Sequence, residues 1–173
     1  MPNYKNKRMT PADRNEFLSM LERCETSREL AFITALYYTG ARVSEVLALN
    51  YNDVYVSGDK VYIKITRLKH SAKTRDISFF LIQTGISELL NECMIAEKEQ
   101  RLIFPFSRWT GRRITHRVAG TYPHFFRYNR FTDIVERYGL LMLKQFGGIT
   151  IDTANRYMLE KKLGEMRIEW VLS

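Results

Sequence analysis

The sequence predicts an α+β fold, mostly helical, with a small antiparallel β-sheet. Three observations lead there. Apolar residues recur at helical spacing along most of the 173 residues. The period drops to two only between residues 54 and 80, where Val61, Ile63 and Ile65 alternate with Tyr62, Lys64 and Thr66. No internal repeat, low-complexity tract or linker-like stretch interrupts the chain, so residues 1–173 read as one domain. With 45% hydrophobic and 13% aromatic residues there is ample material for a core.

The elements follow in order. Residues 1–9 form a polar, basic arm, and Thr10-Pro11-Ala12-Asp13 reads as a helix start, with a capping hydroxyl and a first-turn proline. Leu18, Leu21 and the run Leu30 to Tyr38 give two helices, broken around Glu25-Thr26-Ser27. Gly40 ends the second, and Val43, Val46, Leu47 and Leu49 predict a short third. Val61 to Thr66 and the alternation at Ile77 and Phe79 predict a hairpin joined by Lys69 to Thr74, with a third strand near Val54 to Val56. Leu81 to Lys98 predicts a helix with Ile82, Ile86, Leu89, Leu90 and Cys93 on one side. Leu102 to Phe106 is an apolar connector containing Pro105. Three or four helices are expected over 110–169, punctuated by Pro123, Gly139 and Gly147-Gly148. In the tail, 158–173, Leu159, Leu163, Met166 and Trp170 recur at helical spacing. They either close this domain's own core or dock on a neighbouring protomer.

Bulk properties narrow the function. A formal charge of +8 and a pI near 9.6 favour an anionic partner. Cys24 and Cys93 stand apart without ligand spacing, so neither a metal site nor a disulfide framework is expected. The longest apolar run, Leu30 to Tyr38, is too short to span a bilayer, and the basic amino terminus is no secretion signal. A cytoplasmic protein with no membrane partner is expected.

The charge is concentrated. From Arg101 to Thr132 there is no acidic residue, yet arginines stand at 101, 108, 112, 113, 117, 127 and 130, interleaved with Trp109, Tyr122, Phe125, Phe126, Tyr128 and Phe131. Arg112, Arg113, His116 and Arg117 fall on a predicted helix and form a candidate basic ridge. A second cluster, Lys60, Lys64, Arg67, Lys69, Lys73 and Arg75, lies on the hairpin. The candidate DNA contacts are Lys73, Arg75, Arg112, Arg113, Arg117 and Arg130; the alternative is that these are ordinary solvated faces.

Five further residues fit metal-free attack on a phosphodiester. Such a reaction must balance charge on the non-bridging oxygens, poise a nucleophile and protonate the leaving oxygen. The guanidinium fork grips two phosphate oxygens and stays charged, which makes Arg42 and Arg127, each at the head of a predicted helix, the candidates for the first task. Lys69, on the hairpin, suits the general acid. Tyr157 suits the nucleophile and would form a covalent phosphotyrosine. At a free pKa of ~10, only about a thousandth of tyrosine is ionised at neutral pH, so flanking cations must assist. His124 completes the set. Each has a blander reading alone: Arg42 as a surface partner of Glu45, His124 as a capping residue, Lys69 as one of several hairpin cations, Tyr157 as packing.

The order and spacing of these residues resemble the tyrosine recombinase (phage integrase) family. Thr39-Gly40-Ala41-Arg42-Val43-Ser44-Glu45, with Asp53 beyond it, is similar to that family's first arginine box. Arg67-Leu68-Lys69 followed by Lys73-Thr74-Arg75 resembles its hairpin lysine segment, and His124-Phe125-Phe126-Arg127 its histidine-x-x-arginine box. Lys144 to Tyr157 resembles its ending, and the last two boxes look more like archaeal or archaeal-virus members. The resemblance implies a site-specific recombinase or integrase acting on double-stranded DNA through a 3′-phosphotyrosine, with neither metal nor nucleotide cofactor. It implies a homo-oligomer, two protomers on each DNA site, exchanging strands through a Holliday junction.

Two departures stand out. The histidine or tryptophan usual nine residues before the tyrosine is Gly148, which offers only a backbone N–H, and no second histidine follows Arg127. Loss of one preorganised donor typically costs ~10²-fold or more; Lys144, Gln145 or Asn155 are nearby replacements. The family's N-terminal DNA-clamp domain is absent from these residues. The rival readings are a catalytically silent DNA-binding protein on the same fold, to which Gly148 points, and a type IB topoisomerase-like relaxing enzyme. A basic RNA-binding module is a third, lacking any identifiable aromatic platform.

Overall fold

Short polar side chains set where the helices begin. Thr26 accepts a hydrogen bond from the Glu29 backbone N–H (3.1 Å), and Ser107 accepts one from that of Thr110 (3.0 Å). Each oxygen satisfies an amide with no partner inside its own helix. The computed structural model describes residues 14–57, 60–66, 74–80, 102–147, 149–150 and 152–155. In these residues α1 runs Arg14–Glu22, α2 Ser27–Thr39 and α3 Val43–Leu47; a 3-10 turn, Tyr51–Asp53, follows. Strands β1 (Val54–Ser57), β2 (Lys60–Thr66) and β3 (Thr74–Phe80) precede α4 (Arg108–Ala119) and α5 (His124–Gly147). Residues 152–155 are again helical.

The strands form one antiparallel sheet in the order β1-β2-β3, with Val54 opposite Ile63, Val61 opposite Phe79 and Ile63 opposite Ile77. Val61, Ile63 and Ile65 are buried while Tyr62, Lys64 and Thr66 are exposed, the alternation expected of a strand with one wet face. The third strand near Val54 is present. The fold is thus the mostly helical α+β arrangement that the periodicity predicts.

Packing follows the apolar stripes. Phe17, Phe32, Leu36, Val46, Leu49, Ile65, Phe125 and Phe126 share the main core, with Phe32 edge-on to Phe104 and Phe106 of the connector. A second cluster gathers Phe131, Ile134, Leu143 and Ala154. Helix α2 packs on α5, and α3 on α4. Gly111 of α4 permits that close approach, since a Cβ there would meet Phe32 at 3.1 Å and Val43 at 3.3 Å.

Two glycines redirect the chain around the site. Gly40 closes α2 in the left-handed conformation (φ 57°), and its N–H donates to the Leu36 carbonyl. Gly139 (φ 81°, ψ 175°) breaks α5 into two helical segments. The expected punctuation at Pro123, Gly139 and Gly147 is therefore present, and four helical segments occupy the described part of 108–155. The arm 1–9, the helix start at Thr10 to Asp13, the helix over 81–98 and the tail 158–173 lie outside the described residues.

Candidate functional site

Arg42 and Arg127, separated by most of the chain, are joined through one turn. Arg127 lies in the first turn of α5, buried to 4% exposure, and its Nη1 donates to the Gly40 carbonyl at 2.9 Å. Gly40 is two residues before Arg42, so three consecutive residues, at most ~7 Å of backbone, separate that bond from the second guanidinium's own Cα. A buried cation needs partners. Besides the carbonyl, Arg127 has the Phe131 ring, whose centroid lies 4.1 Å from Cζ.

Arg42 is the residue that leads into α3. Its backbone N–H donates to Glu45 Oε2 (2.8 Å) and its Nη1 to Glu45 Oε1 (2.9 Å). Glu45 is 3% exposed, whereas the Arg42 side chain is 40% exposed. The carboxylate therefore grips one edge of a guanidinium that still reaches solvent, where an external anion can meet it. The bland pairing with Glu45 is real, and it fixes Arg42 in place. His124, exposed, opens α5 one helical turn before Arg127, which puts both on one side of that helix.

The other candidates are reached only by their flanks. Lys69 and Lys73 lie outside the described residues, but Thr66 pairs with Thr74, so residues 67–73 connect two paired strands. Arg75 is opposite Ile65 in the register. Gly148 and Tyr157 also lie outside the described residues. Helical residues 152–155, which end two positions before Tyr157, include Ala154, fully buried in the Phe131 cluster.

Among the described residues, the arginines of the acid-free stretch differ in what they meet. Arg108, Arg112, Arg113 and His116 are exposed on α4, whose opposite side buries Gly111, Ile114, Thr115, Val118 and Ala119. Trp109 is 67% exposed and carries the Arg113 guanidinium over its ring, 4.8 Å from the centroid. None of these three arginines meets a carboxylate among the described residues. Arg117, grouped with them by sequence, is engaged elsewhere. It pairs with Glu25 (3.1 Å) and Glu29, and its Nη1 donates to the Arg23 carbonyl at 2.7 Å. Arg23 returns a bond to the Val118 carbonyl at 3.0 Å, so the two arginines clasp the end of α4 to the α1–α2 connection. The bond to Glu29 holds the Arg117 pKa above its ordinary value. Beside it, burial and the Glu29 charge push the Cys24 thiol up to about 12. Arg130 is likewise tied down, by Asp133 at 2.9 Å and over the Phe146 ring.

The sequence offers Glu45 as the partner of Arg42, but not what holds Arg127: the Gly40 carbonyl and Phe131. The only available signal is Gly40 itself, read as a helix stop. No helix among the described residues is long and apolar enough to cross a membrane.

Residues 7–131 match the phage integrase family, a span that holds Arg42, Lys69, His124 and Arg127 and stops short of Tyr157. No curated protein is significantly similar in sequence. Among solved structures, the chain is similar to XerH site-specific recombinase bound to palindromic difH substrate in a post-cleavage complex. The identity is 20% and the TM-score 0.68, covering 98% of this chain and 56% of that one. XerA recombinase is similar at 18% identity and TM-score 0.67, with 91% and 61% covered. The Tn1549 transposon integrase in complex with transposon right-end DNA gives 13% identity and TM-score 0.59, with 95% and 68% covered. The chain thus spans somewhat over half the length of the Xer recombinases it matches. Since the family match covers well over half of its 173 residues and the fold agrees, the chain belongs to the phage integrase (tyrosine recombinase) family.

Proposed function

We propose that this chain is a site-specific DNA strand transferase, breaking and rejoining double-stranded DNA through Tyr157. One observation carries the reading: Arg127 bonds the carbonyl of the turn that delivers Arg42, so two guanidinium groups are built into a single unit. Two cations on one phosphate are what an attacking phenol needs, since charge accumulates on the non-bridging oxygens during displacement. The Tyr157 oxygen bonds to phosphorus and the bond to the 5′ oxygen breaks. Lys69 gives its proton to that leaving oxygen, and His124 takes the proton of the phenol. The phosphate stays on Tyr157 as a 3′-phosphotyrosine, and return of a 5′ hydroxyl reverses each step. The chemistry calls on no metal or nucleotide.

Double-stranded DNA is the partner supported by the recombinases solved on DNA, by the net charge of +8 and by the exposed arginines of α4. A homo-oligomer on paired sites follows from the same reading. The experiment is covalent trapping on a nicked suicide duplex: an adduct that survives denaturing electrophoresis and vanishes in Tyr157→Phe supports strand transfer. Relaxation of supercoiled plasmid without regard to sequence would indicate the topoisomerase-like reading instead. Gly148, in place of a side-chain donor, favours a second reading, a silent DNA-binding protein; duplex binding with no adduct would select it.

A further inference from the structure

Phe131 stands where three parts of the candidate site meet. One face of its ring lies 4.1 Å from the Arg127 guanidinium carbon. A Cβ built on Gly40 would fall 3.2 Å from its Cε1, and one built on Gly147 would fall 3.0 Å from its Cζ. The ring is fully buried, and its cluster contains Ala154, three residues before Tyr157. We propose that Phe131 is a positioning residue. Its ring sets the spacing between Arg127, the Gly40 turn that carries Arg42, and the chain that leaves Gly147 toward Tyr157. The proposal rests on the strand-transfer reading above.

Shape is what suits this side chain to the role. A phenyl ring is rigid and planar, so a single side chain offers a π-face to the cation and two edges to neighbouring backbones. Both edges meet glycine, and only there can the main chain come this close without displacing the ring. An aliphatic side chain of similar volume fills the space but offers no flat face for the guanidinium. Close-packed interiors transmit such a change rather than absorb it. The arginine hydrogen bond to the Gly40 carbonyl would then lose its fixed direction.

The test compares Phe131→Leu, Gly147→Ala and their double variant with Phe17→Leu, a control at an equally buried ring in the main core. Single-turnover cleavage of the suicide duplex, duplex affinity and Tm are measured on each. Misplacement by about 1 Å is expected to slow cleavage about 10²-fold in Phe131→Leu. Duplex affinity should stay within about threefold, because most phosphate contacts are untouched. Gly147→Ala should slow cleavage by pressing on the same ring edge, and the double variant should lose less than the product of the two effects. Phe17→Leu should lower Tm yet cleave at the wild-type rate. Wild-type cleavage in Phe131→Leu, or strictly multiplicative losses, would overturn the proposal. Should the wild type itself not cleave, strand transfer fails separately. The spacing role is then read by NMR, from the slowly exchanging Arg127 guanidinium proton on the Gly40 carbonyl. Its loss in Phe131→Leu but not Phe17→Leu supports the role; its persistence in both refutes it.

Discussion

Glu45 serves Arg42 twice, taking its backbone N–H on one carboxylate oxygen and its guanidinium on the other. The guanidinium side of the ion pair is 40% exposed, so solvent screens part of what the pair contributes to stability. The backbone bond at the head of α3 matters more. Glu45→Ala is expected to lower stability by ~1–2 kcal/mol in urea unfolding, as removal of a helix-end partner does, and to slow cleavage by freeing Arg42. Glu45→Gln, which keeps an acceptor, should lose less on both counts. Arg42→Ala should abolish cleavage while duplex affinity changes by only a few fold, measured by trapping and by equilibrium binding; a parallel collapse of affinity would count against a catalytic role. Cys24 gives a pH expectation. Its thiol pKa is raised in the fold from 9.0 to about 12, chiefly by burial. Its contribution is therefore complete below about pH 9 and declines as pH rises toward 12. Native Cys24 should resist iodoacetamide at pH 8.5 and react on unfolding.

At the scale of elements, α4 divides into two functions along its length. Its solvent side carries Arg108, Arg112 and Arg113 without carboxylate partners among the described residues, while its end is bound to the α1–α2 connection by Arg117 and Arg23. The two arginine classes should respond differently to substitution. Arg112→Ala with Arg113→Ala should weaken duplex binding and reduce the log–log salt slope by roughly 0.9 for each phosphate no longer neutralised. Arg117→Ala should lower Tm and leave that slope unchanged. An unchanged slope in the first pair would remove α4 from the DNA interface. Charge alone could not separate these classes. Arg112 and Arg117 look alike in an acid-free stretch, and only folding brings Glu25 and Glu29 beside the latter.

For the whole molecule, what could be read in advance was what depends on near neighbours. The strand alternation at Val61 to Thr66, the helix stop at Gly40 and the break at Gly139 are local matters of period and backbone conformation, and all three were legible. The meeting of Arg127 with the Gly40 carbonyl joins residues 87 apart, and no spacing rule encodes it. In the sequence Phe131 is one aromatic among the arginines, because its packing depends on what two distant glycines lack. The family boxes carry Arg42 with its partner Glu45, but nothing in them indicates that the Gly40 carbonyl and Phe131 brace Arg127.

The irregular peptide at Gly139 has a mechanical consequence. It separates the segment bearing His124 and Arg127 from the one that ends at Gly147, and a Cβ there would touch nothing. At φ 81°, ψ 175° an alanine would be resisted by torsion alone, at ~1–3 kcal/mol. Straightening that joint into continuous helix would swing the later segment to a new bearing, so the direction in which Leu143 and Gly147 are carried past Phe131 is inherited from one residue that carries no side chain.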